Sequence, residues 1–210
     1  MALPKSLVLN DMSLRYRLFR GLLIVIGGLF FGFEVHGAQK IPADGPLIVA
    51  SNHRQLLDPV FVSMAVPRRL RWMAKKELFA FPLGRFFYFL GTFPVDRKGG
   101  GRAALRTALK LLTEGHALGI FPEGTRRKEG ASIEAKSGAA LLAARSGAPV
   151  VPIFACKIPS PAARFRGERL RIYIGDPMTT ENTQKGREGY RRLADEILRA
   201  IYALGEGRIP

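Results

Sequence analysis

What the chain is short of narrows its chemistry. Cys156 is the one cysteine in 210 residues, which excludes an intrachain disulfide and any zinc or iron–sulfur site built on several thiolates. His36, His53 and His116 stand far apart and no His-Glu-x-x-His spacing occurs, which argues against a zinc enzyme. Neither Gly-x-Ser-x-Gly nor Gly-x-x-x-x-Gly-Lys-Ser/Thr is present, so a nucleophile elbow and a nucleotide P-loop are both unsupported. The longest apolar run, residues 21–33, is thirteen residues, short of the roughly 20 that a membrane-crossing helix needs. Acidic residues are scarce: 17 Asp and Glu against 33 Lys and Arg leave a formal charge of +16. A field of that sign gathers polyanions, meaning nucleic acid, an anionic membrane face, or a phosphorylated or acidic-carrier substrate. Hydrophobic residues at 47% and charged residues at 24% are ordinary for a globular chain, and the length suits one domain.

Strand-like and helix-like stretches alternate from about residue 32. Short apolar runs at 33–35, 47–50, 71–74, 92–95, 118–121, 150–155 and 170–174 read as strands. Helical spacing marks 59–66, with Asp58 as its cap and Pro59 at its first position, and also 103–112, 135–144 and 189–204. The aromatic stretch 77–90 reads as two helical pieces broken at Pro82. This alternation predicts a single α/β domain, residues 32–210, with helices flanking a largely parallel mixed sheet. Pro94 removes a ladder donor, so the strand at 92–95 is expected at an edge or a bulge. Residues 1–31 form a segment of their own. Arg15, Arg17 and Arg20 precede the apolar run, as they would in a secretory signal, but Val35-His36-Gly37-Ala38 is a poor cleavage site. A buried core helix is one alternative. The favoured expectation is a basic, apolar helix at a membrane interface, its arginines on anionic headgroups.

Functional groups in α/β sheets gather where strands end and helices begin, and two junctions carry chemistry. In the first, His53 follows a buried strand and Asp58 opens a helix five residues on. The carboxylate can accept the Nδ1 proton and leave Nε2 free as a base. Equally, Asp58 is an N-cap in its own right, and His53 can simply satisfy a loop carbonyl. With no serine or cysteine nucleophile beside it, such a pair would activate a substrate's hydroxyl. The second is Phe121-Pro122-Glu123-Gly124-Thr125-Arg126, where Gly124 permits a tight turn, Thr125 offers a hydroxyl and an amide, and Arg126 can fork onto phosphate oxygens. A solvated basic turn is the plainer alternative. Between them, Asp96-Arg97-Lys98-Gly99-Gly100-Gly101 feeds a helix start, which suits an anion or a flexible loop.

Taken in order, Asn52-His53 through Asp58, Gly91-Thr92-Phe93-Pro94-Val95-Asp96-Arg97, Phe121 through Arg126, and Val150-Val151-Pro152-Ile153 resemble the four motifs of the glycerolipid acyltransferases, over residues 32–178. The resemblance implies His53 as general base, with Asp58 orienting it. It implies that Arg97, Glu123, Gly124, Thr125 and Arg126 hold a glycerol phosphate, joined by Lys75, where relatives often carry a phosphate-contacting lysine. Pro152 would shape the acyl-donor side. The implied reaction moves an acyl group from acyl-CoA or acyl carrier protein to the free hydroxyl of lysophosphatidic acid, without a metal, a cofactor or an acyl-enzyme. Another lysophospholipid, glycerol phosphate, or a hydrolase or transacylase reaction on the same scaffold remain open. A nucleic-acid-binding module is disfavoured, because no helix-turn-helix, zinc-finger or RNA-recognition signature occurs. The implied location is the cytoplasmic face of a membrane. Arg68, Arg69, Arg71, Lys75, Lys76 and Arg85 are expected to form a basic face beside Phe79, Phe81, Phe86, Phe87, Tyr88 and Phe89, most of these aromatics being core.

Overall fold

The computed structural model of the chain describes residues 13–80, 82, 84–95, 101–126, 134–180, 184 and 186–206. Among them, seven strands form one sheet in the order β1-β7-β6-β2-β5-β3-β4, in which β6 and β7 are antiparallel and the other neighbours parallel. The strands are β1 (Glu34–His36), β2 (Leu47–Ser51), β3 (Leu70–Lys75), β4 (Phe93–Val95), β5 (Ala117–Ile120), β6 (Val150–Ala155) and β7 (Arg171–Ile174). The helices are α1 (Leu14–Phe31), α2 (Asp58–Ala65), α3 (Gly84–Phe89), α4 (Arg102–Thr113), α5 (Gly138–Ser146), α6 (Pro161–Phe165) and α7 (Arg187–Ala203).

Position in the sheet follows from composition. β2, β5 and β6 are buried at every residue, as continuous apolar runs must be when helices cover both faces. One face packs on α4, α5 and α7 through Leu111, Leu142, Ile197 and their neighbours. The other packs on α2 through Phe61, Val62 and Met64, with Leu23, Ile24 and Phe31 of α1 added. β4 lies at an edge with Pro94 opposite Ala74, the place where a residue without an amide hydrogen costs least. At the other edge Glu34 pairs with Arg169 at 2.6 Å and Arg171 at 3.0 Å, clamping β1 onto β7. The Arg171 guanidinium holds the Glu34 carboxyl below its ordinary range.

Several expectations change. α5 begins at Gly138, since Lys136 N donates instead to Pro122 O and holds the residues before the helix against the turn after β5. The stretch after β3 is a short 3-10 turn, Lys76–Phe79, followed by α3, matching two pieces split near Pro82. α6 was not expected, although Ser160 and Pro161 are an N-cap and first-turn proline. The basic face is also corrected. Arg68, Arg69 and Arg71 are buried. Arg68 donates to the carbonyls of Pro42, Asp44, Gly45 and Gly115. Arg69 donates to those of Tyr88 and Phe89 and lies 5.0 Å over the Tyr16 ring. A guanidinium's five donors suit turns whose carbonyls lack ladder partners, so Arg68 and Arg69 are internal staples. Phe81 lies outside the described residues.

α1 explains why its sequence was ambiguous. Ser13 Oγ accepts from the Tyr16 amide at its start, and Gly32 ends it at φ +60°. Tyr16, Phe19, Leu23, Ile24 and Phe31 face inward, Phe19 meeting Phe86 and Phe89 edge-on at 6.0 and 5.4 Å. Leu14, Leu18, Leu22, Val25 and Leu29 recur every three or four residues on the opposite face and are exposed. One face is therefore core and the other is apolar and bare. Among the described residues, no helix is long and apolar enough to cross a membrane.

Candidate active site

Parallel pairing brings the C-terminal ends of β2, β5, β3 and β4 to one edge of the sheet, where an open α/β sheet presents its crevice. His53 follows β2 by two residues and Glu123 follows β5 by three. The chain leaves β2 through Asn52, whose side-chain amide donates to Ala155 O (2.9 Å) while its Oδ1 accepts from Ala155 N (2.7 Å). It then wraps around a single carboxylate oxygen. Asp58 Oδ2 accepts from Arg54 N at 2.6 Å and Gln55 N at 2.7 Å, and lies 3.0 Å from His53 Nδ1. The Asp58 side chain is 4% exposed and that of His53 16%. Asp58 is thus not the cap expected of it. Leu57 holds the N-cap position, and the Asp58 carboxylate faces back into the preceding loop. Its charge in the first turn still complements the helix dipole.

The His53 ring is held from a second side. It stacks on Phe121 with centroids 4.0 Å apart and planes 14° apart, and Phe121 stacks on Trp72 at 4.7 Å and 20°. The indole Nε1 donates to Ser63 Oγ at 2.9 Å. Gly119 of β5 makes room for this stack, since a Cβ there would sit 2.6 Å from the Trp72 ring. Glu123 ties the two loops: Oε1 accepts from His53 N at 3.2 Å and from Tyr202 Oη of α7 at 2.9 Å. The tight turn is closed by Gly124 N donating to Phe121 O, with Gly124 at φ +73° beneath the Lys136 stem.

The structure therefore brings Asp58 and Glu123 each into direct contact with His53, Asp58 at the ring and Glu123 at the main-chain amide. Thr125 and Arg126 follow on the same turn, both exposed, and Lys75 is exposed at the end of β3 on the same edge. Pro152 is buried within β6, opposite Ala50, with Gly175 against it. Arg97, with the rest of residues 96–100, lies outside the described residues. Sequence reasoning missed Trp72, Tyr202 and the bonding role of Asn52. Only Asn52, adjacent to His53, gave any local signal.

A cavity of about 200 Å³ opens beside the loop, walled by Leu56, Pro59 and Val60, by Trp72, and by Phe19 and Leu23 of α1 with Phe86 of α3. It is apolar apart from a few groups, chiefly Arg20 and Ser63. Arg20 reaches from α1 to the last turn of α2, donating to Ser63 O at 3.3 Å and Met64 O at 2.6 Å. Burial lowers its pKa from the ordinary arginine value. A cation there satisfies helix-end carbonyls and fastens α1 to the helix that begins with Asp58.

An imidazole and a carboxylate at the strand ends, an arginine-bearing turn and an adjoining apolar cavity have the form of a lipid-handling transferase. The acyltransferase family model matches residues 32–155. Over 165 residues the chain is 34% identical to 1-acyl-sn-glycerol-3-phosphate acyltransferase of Bacillus subtilis, covering 78% of this chain and 82% of that one. Over 209 residues it is 32% identical to the alpha form of the same enzyme from Bos taurus, covering 94% and 71%. The chain belongs to the acyltransferase family. The crystal structure of the 1-acyl-sn-glycerophosphate acyltransferase PlsC from Thermotoga maritima shares its fold, with a TM-score of 0.66 at 22% identity over 96% of this chain and 85% of that one.

Proposed function

We propose that the enzyme transfers an acyl group from an acyl thioester, acyl-CoA or acyl carrier protein, to the free hydroxyl of 1-acyl-sn-glycerol 3-phosphate, yielding phosphatidic acid. The observation that carries this reading is the 3.0 Å approach of Asp58 Oδ2 to His53 Nδ1, which orients Nε2 as the remaining base. The acceptor's hydroxyl proton passes to Nε2 as its oxygen attacks the thioester carbonyl. The tetrahedral intermediate then expels thiolate, which takes the proton back from the imidazolium. An ester and a thiol result, and no bond to the protein forms. Asp58 stabilises the imidazolium, while the stacked Phe121 restricts the ring's rotation.

General-base catalysis supplies about 10²–10⁴-fold, so positioning must supply much of the remainder. Arg126 and Thr125, with Lys75 and Arg97, are assigned to the acceptor's phosphate. Glu123, itself an anion, acts by fastening the turn to the His53 loop. The apolar cavity takes an acyl chain. The relatives named for this acceptor support the substrate assignment. The bare face of α1, flanked by the exposed Arg15 and Arg17, supports docking on an anionic membrane, assigned to the cytoplasmic side where both thioester donors are found.

The test is transfer of a labelled acyl group from CoA and carrier-protein donors across a panel of lyso-lipids. Transfer to 1-acylglycerol 3-phosphate is expected to dominate. His53→Ala should abolish turnover while acceptor binding persists; near-wild-type turnover in that variant would remove the mechanism.

A further inference from the structure

Among the described residues the most exposed large apolar side chain is Phe165, 94% exposed at the end of α6. Nothing in the proposed transfer uses it. The turn that carries it is stiff: Ser160 Oγ accepts from Ala163 N at 3.2 Å, and Pro161 fixes the first helical position. The ring is therefore held out into solvent by a rigid support. A groove separates it from Leu29 and Phe30 at the end of α1, themselves 72% and 67% exposed. Phe165 thus continues the bare stripe of α1 from a segment more than a hundred residues away. Contiguous apolar surface of this kind marks an interaction site.

Charge identifies the partner. Arg15 and Arg17 flank the stripe, Arg164 lines the groove, and Arg166 is exposed beside the ring. The 3.6 Å pair of Arg166 with Glu168 is itself exposed and contributes little. An apolar tip rimmed by guanidinium groups matches a bilayer of acyl chains beneath anionic headgroups.

We propose that α6 is a second membrane anchor, in which Phe165 enters the acyl-chain region beside Leu29 and Phe30 while Arg164 and Arg166 meet headgroup phosphates. This goes beyond the transfer reaction and draws on it only for a purpose. A single helical anchor leaves the protein free to roll about the helix axis, whereas a second contact off that axis fixes its orientation. The loop entering α6 is bonded to the His53 loop, Ile158 N donating to Gln55 Oε1 at 2.9 Å. Gripping α6 therefore turns the His53 edge of the sheet toward the bilayer.

The experiment uses vesicles of phosphatidylcholine with or without phosphatidylglycerol. Phe165→Trp should give an emission that shifts blue on mixed vesicles and is quenched by brominated lipid, with the wild-type signal from Trp72 as blank. Phe165→Ala should keep the wild-type Tm and bind mixed vesicles about tenfold more weakly, the equivalent of ~1.4 kcal/mol. Its turnover on a water-soluble short-chain acceptor should be unchanged. Emission unmoved by vesicles that sediment the protein would overturn the proposal. So would equal vesicle affinity in Phe165→Ala, or a lipid-independent dimer that this variant dissociates. Vesicle insertion in a protein that transfers no acyl group would instead defeat the functional reading and leave the anchor standing.

Discussion

One oxygen of Asp58 has two duties, and two substitutions separate them. Oδ2 faces the imidazole, and it also accepts the Arg54 and Gln55 amides that shape the loop. Asp58→Asn can keep an oxygen in that place and removes only the charge. At 3.0 Å and an effective dielectric of about 20, carboxylate and imidazolium attract by about 5 kcal/mol. At about 1.4 kcal/mol per decade that is a ceiling near 10⁴-fold on rate, part of which an amide dipole retains. We expect kcat to fall about 10²–10⁴-fold, with the acceptor KM and the Tm little changed. Asp58→Ala additionally leaves two partly buried donors without their acceptor, costing about 2 kcal/mol together, or about 4–8 °C in Tm for a chain of this size. Steady-state transfer of labelled acyl groups and a thermal melt measure both. An Asp58→Asn enzyme within about threefold of the wild-type kcat would refute the role given to the carboxylate.

Gly119→Ala should force the Trp72 indole off Phe121, lowering Tm by about 4–8 °C through overpacking of about 2 kcal/mol and slowing transfer. Trp72 is the chain's one tryptophan, so its emission reports the displacement directly. Arg126→Ala should raise the acceptor KM at least about tenfold while leaving that for the thioester donor nearly unchanged; the reverse pattern would move Arg126 to the donor side. Because Arg171 lowers the pKa of Glu34, their pairing adds stability above the ordinary carboxylate range, and that stability fades as pH falls through the lowered value. Glu34→Gln should therefore narrow the difference in Tm between neutral and acidic solution.

The order of strands and helices was legible because apolar runs and caps act locally. β2, β5 and β6 read as continuous apolar runs, and Pro94 marked an edge strand. What escaped depended on distance along the chain. Tyr202 reaches Glu123 across 79 positions, and no local pattern announces it. Arg68 and Arg69 read as surface charge because burial of arginine is rare, and only the assembled turns supply the carbonyls that make it favourable. α1 gave no clear periodicity because both of its faces are apolar, one for the core and one left bare. The five-residue spacing of His53 and Asp58 was visible, but the loop's collapse around one oxygen was not, since backbone amides leave no mark in a sequence.

Asn52 has a further consequence. Its carboxamide impersonates a peptide unit, offering β6 the donor and acceptor that a longer β2 would have supplied. The main chain can consequently turn out of the sheet one step early without leaving its neighbour unpaired, and the connection from the ladder to His53 carries no slack. An inserted residue elsewhere on the periphery would be absorbed as a wider excursion. Between positions 52 and 58 it would carry the imidazole along the strand axis by up to about 3.3 Å, farther than a proton can be passed, so this short stretch should be the least tolerant of length change in the molecule.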